Sequence, residues 1–218
     1  EVAPLVAAFG AMQSNLRRHI AALAAATAAR ERIESDLRVA HEIQMSLVPM
    51  TFPPVPSRPE IDLYAMLQPA RQVGGDFYDF FWVDDQTLCL AVGDVAGKGV
   101  PAALYMAVTR TLLRAAFRES TSLPEILRGL NEDLARDNDS CMFVTLFCAR
   151  GDVPSGRIAY SSGGHPPPFV LHPDGRLEQL PLTRGAALGA FGRTTFGEGT
   201  VQLGPGDAVY AFTDGVSE

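Results

Sequence analysis

The chain has 218 residues, 47% hydrophobic and 20% charged, enough for one sizeable core. Its net charge of −7 and pI near 5.1, with no Lys/Arg run to offset them, argue against nucleic acid as a partner. No stretch reaches the roughly eighteen apolar residues of a membrane span, no signal-peptide pattern occurs, and Cys89, Cys141 and Cys148 lack metal-ligand spacing, which together point to a cytoplasmic chain with reduced thiols.

Residues 1–48 read as one long helix. With Leu5 at heptad position a, the a and d residues are Leu5, Phe9, Met12, Leu16, His19, Leu23, Ala26, Arg30, Ile33, Leu37, Ala40, Gln44 and Leu47, of which ten of thirteen are apolar. A helix this long lacks an obvious core of its own to cover. The pattern therefore predicts a coiled coil, and so a parallel homodimer, over an alanine-rich helix lying on its own domain. His19, Arg30 and Gln44 are the polar exceptions. Such residues weaken a seam while fixing its register, so Gln44, five residues before Pro49, is expected to be regulatory. Pro49, Pro53, Pro54, Pro56 and Pro59 then make residues 49–60 a stiff linker to a domain at 61–218.

Strands are predicted at Ile61–Leu67, Phe77–Val83, Leu88–Val95, Phe143–Ala149, Arg157–Ser161, Phe169–Leu171, Arg176–Leu180 and Asp207–Thr213. Two helices interrupt them. Val100–Arg118 has Pro101 in its first turn and is expected to bury Leu104, Val108, Leu112 and Ala115. Leu123–Asp137 has Ser122 as N-cap with Glu125 three residues on, and presents Ile126, Leu127, Leu130 and Leu134. Strands, then paired helices, then strands predict an α+β fold of antiparallel sheets covered by helices.

Two acidic stretches eighteen residues apart carry the chemistry: Gly74-Gly75-Asp76-Phe77-Tyr78-Asp79 and Gly93-Asp94-Val95-Ala96-Gly97-Lys98-Gly99. With a turn at Asp84-Asp85-Gln86 they form a β-hairpin whose open end bears Asp76 and Asp94. A third Asp follows an apolar run at Thr213-Asp214-Gly215. A single Asp–Gly pair usually marks a turn, as Asp174-Gly175 does. Three carboxylates at the ends of hydrophobic strands, with only Lys98 and Arg71 nearby as counter-charges, are better explained by a divalent cation such as Mg²⁺ or Mn²⁺. A P-loop reading of Gly97-Lys98-Gly99 fails, because Val92 stands where a glycine is needed and Gly99 where Ser or Thr is needed.

These motifs, with Phe143-Val144-Thr145-Leu146, Gly163-Gly164-His165-Pro166-Pro167-Pro168 and Phe212-Thr213-Asp214-Gly215-Val216, resemble the metal-dependent Ser/Thr protein phosphatases of type 2C (PPM). The likeness is strongest to the bacterial SpoIIE/RsbU-like branch, and spans residues 37–218 when the Ala40-His41-Glu42-Ile43-Gln44 turn is included. Residues 4–12 more faintly resemble the end of a HAMP signalling helix, which leaves room for a membrane-anchored sensor upstream.

The resemblance implies an αββα sandwich holding two Mn²⁺ or Mg²⁺ ions. It assigns Asp94 as the bridging ligand, Asp76 and Asp214 as ligands of one metal each, and the Val95 backbone carbonyl as a further ligand. A hydroxide bridging the metals would attack phosphoserine or phosphothreonine on a protein, by resemblance a STAS-domain anti-sigma-factor antagonist of a partner-switch pathway. The alternative is a non-catalytic partner-binding module on the same scaffold.

Several positions depart from the pattern or stay open. The family places a further metal-binding Asp beyond the Thr-Asp-Gly motif, past Glu218, so missing C-terminal strands, weaker metal binding and impaired catalysis are expected of the sequence as it stands. Ala96 stands where the branch usually has Ser and eukaryotic relatives a candidate acid His, leaving solvent or His165 to protonate the leaving group. Arg71, Lys98 and His165 are candidate phosphate contacts, Lys98 beside a helix N-terminus that favours anions.

Overall fold

The computed structural model describes residues 3–50, 52, 58–69 and 72–216, so Pro53, Pro54 and Pro56 of the linker lie outside the described residues. Two compact units form, Glu1–Glu42 and Ile43–Glu218. Helix α1 runs 45 residues from Ala3 to Leu47. Its heptad residues Phe9, Met12, Leu16, Leu23 and Ile33 are all more than half exposed within the single chain. Among the described residues, no helix is long and apolar enough to cross a membrane.

The second unit is built on two antiparallel sheets. Strands β1 (Phe77–Trp82) and β2 (Thr87–Val95) form the expected hairpin, its turn closed by Asp84 Oδ1, which accepts from the Gln86 and Thr87 amides at 2.8 and 2.7 Å. Next come helices α2 (Val100–Glu119) and α3 (Leu123–Ala135), then β3 (Val144–Asp152), β4 (Arg157–Gly163), β5 (Phe169–Leu171), β6 (Leu177–Gln179), β7 (Gly199–Gln202) and β8 (Ala208–Tyr210). The first sheet has the order β1-β2-β3-β4-β7 and the second β6-β5-β8. The helices pack on the first sheet around Phe77, Val95, Met106, Leu113, Phe117, Leu127 and Leu146. A second cluster joins Phe147, Ala149 and Tyr160 of the first sheet to Val170 and Leu180. The molecule is thus an α+β sandwich of two antiparallel sheets, as the sequence predicts.

Three expectations need correction. Residues 61–69 alternate between half-buried and exposed, and Leu63, Ala65 and Leu67 pack on the core, but the segment joins no ladder. Periodicity reports a buried face, not a hydrogen-bonded partner. The predicted strand Asp207–Thr213 ends at Tyr210, and β7 was not foreseen at all, because this edge strand buries little.

Helix α2 is turned to a different face from the one expected. It buries Ala102, Met106, Thr109, Leu113 and Phe117, leaving Leu104 64% and Val108 51% exposed, with Leu112 half-buried and Ala115 exposed. The helix is apolar on more than one side, and charge decides its rotation. Arg110 and Arg114 must reach the buried Asp79 of β1. Helix α3 buries the four expected residues and is capped by Ser122, whose side chain accepts from the Glu125 amide.

Candidate active site

Strand register brings the first two carboxylates together. Pairing of β1 with β2 runs from Trp82↔Leu88 to Phe77↔Gly93, so one step further sets Asp76 opposite Asp94. Asp79 faces α2, and alternation puts Asp76 on the other face, toward the second sheet. Asp94 in turn lies opposite Thr145 on β3, two residues before Phe147 of the inter-sheet cluster.

Glycine is required for this approach. A Cβ on Gly75 would lie 2.6 Å from the Val95 carbonyl oxygen, and one on Gly93 would lie 2.5 Å from the Phe77 ring. Both distances are far inside contact, so a side chain at 75 would push the backbone away from Val95 and one at 93 would displace the buried Phe77 ring.

The third carboxylate arrives from beyond β8. Residues 211–213 lead into a 3₁₀ turn, Asp214–Val216. Thr213 Oγ1 donates to Asp76 Oδ2 at 3.2 Å, and a Cβ on Gly215 would lie 3.6 Å from the same oxygen. The Thr-Asp-Gly turn therefore rests directly on Asp76, with Asp214 exposed.

His165 is only 2% exposed. Its Nε2 lies 3.1 Å from the Phe212 carbonyl, which can only accept, so Nε2 carries the proton and Nδ1 accepts from Thr145 Oγ1 at 2.9 Å. Burial pushes the imidazole down to about 4, against the opposing pull of the Phe212 carbonyl and of Asp76 and Asp214. A ring that is neutral at physiological pH with both nitrogens engaged does not face a phosphate. The candidate role of His165 as phosphate contact or proton donor is therefore replaced by a bridging one.

The other candidates separate. Lys98 is exposed in a turn where Gly97 and Gly99 have φ of 107° and 77°, and Gly99 is the N-cap of α2. Arg71 lies outside the described residues. Gln44 does not point from a coiled-coil seam. It is buried, its Nε2 donating to Gly74 O at 2.7 Å and its Oε1 accepting from Gly74 N at 3.2 Å. Sequence reading also missed the bond between Thr145 and His165, and the Asp79–Arg110–Arg114 group. For the latter a signal was present: an Asp inside an apolar strand, with two arginines four residues apart on a following helix.

The oxygen donors suit a hard divalent cation: Asp76, Asp94, Asp214, and a Val95 carbonyl approached closely only because residue 75 is glycine. The set is open. Among the described residues, no three His, Cys, Asp or Glu side chains gather closely enough to cage an ion. In donor chemistry the residues fit the metal; as a preformed cage they are incomplete.

Residues 84–218 match the family of Stage II sporulation protein E (SpoIIE). The chain belongs to the SpoIIE family. It is 30% identical over 189 residues to the phosphoserine phosphatase RsbU of Bacillus subtilis, covering 87% of this chain and 55% of RsbU. The crystal structure of the RsbU and RsbW domains of a Mycobacterium tuberculosis protein is similar at 30% identity and a TM-score of 0.61, over 68% of this chain and 41% of that one. The SiaA-PP2C domain of Pseudomonas aeruginosa shares the fold at a TM-score of 0.65 and 22% identity, over 86% of this chain and 74% of that one. The chain spans between 32% and 55% of the length of the curated relatives it matches. Membership of the SpoIIE/RsbU-like PP2C branch, expected from five short motifs, thus holds over most of the second unit.

Proposed function

We propose that this SpoIIE-family chain is a metal-dependent protein phosphatase that hydrolyses phosphoserine or phosphothreonine on a protein substrate. The observation that carries the reading is the convergence of Asp76, Asp94 and the Val95 carbonyl by strand register, with the Thr213–Gly215 turn resting on Asp76. Asp76, Asp94, Asp214 and the Val95 carbonyl would hold two Mn²⁺ or Mg²⁺ ions. When bound, such ions supply a nucleophilic water at neutral pH and offset the charge of the phosphoryl oxygens. The chain's own residues supply the frame: Gly75 and Gly93 let the strands close, and Thr213 orients Asp76. The test is Mn²⁺-dependent phosphate release from a phosphoserine protein by the full-length protein. Its absence would leave the non-catalytic partner-binding reading.

For the substrate, a phosphorylated STAS-domain anti-sigma-factor antagonist fits best. The support is likeness to RsbU and to a structure that joins RsbU and RsbW domains. The assignment of residues 1–48 as a signalling helix, 49–60 as a linker and 61–218 as the catalytic domain belongs to the same reading, as does a cytoplasmic location.

The exposed heptad residues of α1 suit a second copy of the same helix, giving a parallel dimer. Sedimentation at micromolar concentration is expected to show a dimer, and a monomer would refute the pairing.

Regulation through Gln44 takes a form different from a weakened seam. Its amide pairs with both backbone groups of Gly74, two residues before Asp76. Gln44→Leu is expected to lower stability by about 1–3 kcal/mol, since it strands two part-buried polar groups. It should also reduce activity by loosening the chain that delivers Asp76. Activity equal to the parent, measured at fixed Mn²⁺, would show that this pairing does not reach the site.

A further inference from the structure

We propose that His165 is a positioning residue: through Thr145 on one side and the Phe212 carbonyl on the other, it fixes the Thr213-Asp214 segment against Asp76. The link to activity rests on the phosphatase reading; the clamp itself does not.

Both ends of the bridge lie next to the carboxylates. Thr145 is the register partner of Asp94, and Phe212 is two residues before Asp214. The imidazole thus spans from the sheet that carries Asp76 and Asp94 to the segment that carries Asp214. That segment has left the β8 ladder by residue 211 and needs other anchors. Its anchors include the Phe212 ring, which stacks on Phe169 and Tyr210 at 5.9 and 5.7 Å, Thr213, which donates to Asp76, and the Phe212 carbonyl, which accepts from His165.

The ring is itself held from behind. Ser162 Oγ accepts from the His165 amide and donates to the His165 carbonyl, both at 3.1 Å, closing the turn before Pro166-Pro167-Pro168. Gly164 at φ 69° completes it, where a Cβ would meet the Ala187 amide at 2.9 Å. A rigid turn on one side and a directed N–H on the other make the histidine a strut. Thr145 sets its polarity: by donating to Nδ1 it obliges Nε2 to carry the proton that Phe212 needs. A histidine serving only the core would have no need to end on these two neighbours.

The experiment compares full-length wild type with Thr145→Val, Thr145→Ser and His165→Leu. Histidine ¹⁵N spectra of the metal-free wild type are expected to show a neutral His165 with the proton on Nε2. Amide exchange at Thr213 and Asp214 should accelerate at least about tenfold in Thr145→Val, well beyond any change in strands β5 and β8. Mn²⁺ affinity, read by electron paramagnetic resonance without substrate, should weaken about tenfold to a hundredfold in Thr145→Val and His165→Leu, the scale of lost outer-shell support. Thr145→Ser, which keeps the hydroxyl, should restore both.

A merely structural histidine would lower the melting temperature and leave local exchange and Mn²⁺ affinity unchanged. That outcome in Thr145→Val, or a proton found on Nδ1, overturns the proposal. If His165→Leu fails to fold, Thr145→Val still decides, because it preserves shape. If the wild type shows no Mn²⁺-dependent turnover, the phosphatase reading fails, while exchange at Thr213 and Asp214 still tests the clamp.

Discussion

Asp94→Asn is expected to abolish Mn²⁺-dependent phosphatase activity in the full-length protein, with a loss of at least about a hundredfold, the scale for removing one preorganised charge-stabilising group. Asp94 lies opposite Asp76 by strand register and directly precedes Val95, whose carbonyl the Gly75 backbone approaches closely. Asparagine has nearly the same shape, so the β2 ladder should survive, and thermal unfolding of the metal-free protein should hardly change. What changes is the charge available to a divalent cation. Activity assays across a Mn²⁺ series, paired with melting curves, separate lost chemistry from lost fold. Retention of wild-type turnover at every Mn²⁺ concentration would remove Asp94 from the site. The non-catalytic reading would then gain ground.

Much of this site could be read from residue order, because a hairpin converts spacing into geometry. Once the turn at Asp84 is recognised, Asp76 and Asp94 must lie opposite one another, and no tertiary knowledge is needed. Helix α3 was equally readable, since it has only one apolar stripe. Helix α2 was not: Leu104 and Val108 compete with Met106 and Leu113, and hydrophobic periodicity cannot choose between two apolar faces. The choice is made by Asp79, a partner more than thirty residues away from both arginines. Gln44 failed for a related reason. The heptad places it in a seam, but an amide that pairs with the backbone of Gly74 leaves no periodic trace in sequence. The same holds for His165, whose partners are a hydroxyl on β3 and a carbonyl past β8.

Asp79→Ala is expected to destabilise the second unit by about 3 kcal/mol, the range found when one partner of a buried ion pair is removed. The Asp79 side chain is fully buried. Arg114 binds it in a fork, Nε to Oδ2 at 2.6 Å and Nη2 to Oδ1 at 2.7 Å, while Arg110 Nη2 adds a third bond at 3.2 Å. The two arginines respond differently: the bond to Asp79 raises Arg114 above its ordinary value, whereas burial lowers Arg110. Loss of Asp79 therefore hurts mainly through Arg110, 13% exposed, since Arg114 at 36% can turn to water. Adding Arg110→Met should accordingly recover part of the loss by removing an uncompensated cation. Urea unfolding of the two variants is the measurement, and a single-variant loss below about 1 kcal/mol would show that both arginines rehydrate freely. The functional consequence follows from place rather than charge. Asp79 fastens β1 to α2 three residues after Asp76, so a strand released there would no longer deliver Asp76 opposite Asp94, and Mn²⁺ affinity should fall together with stability.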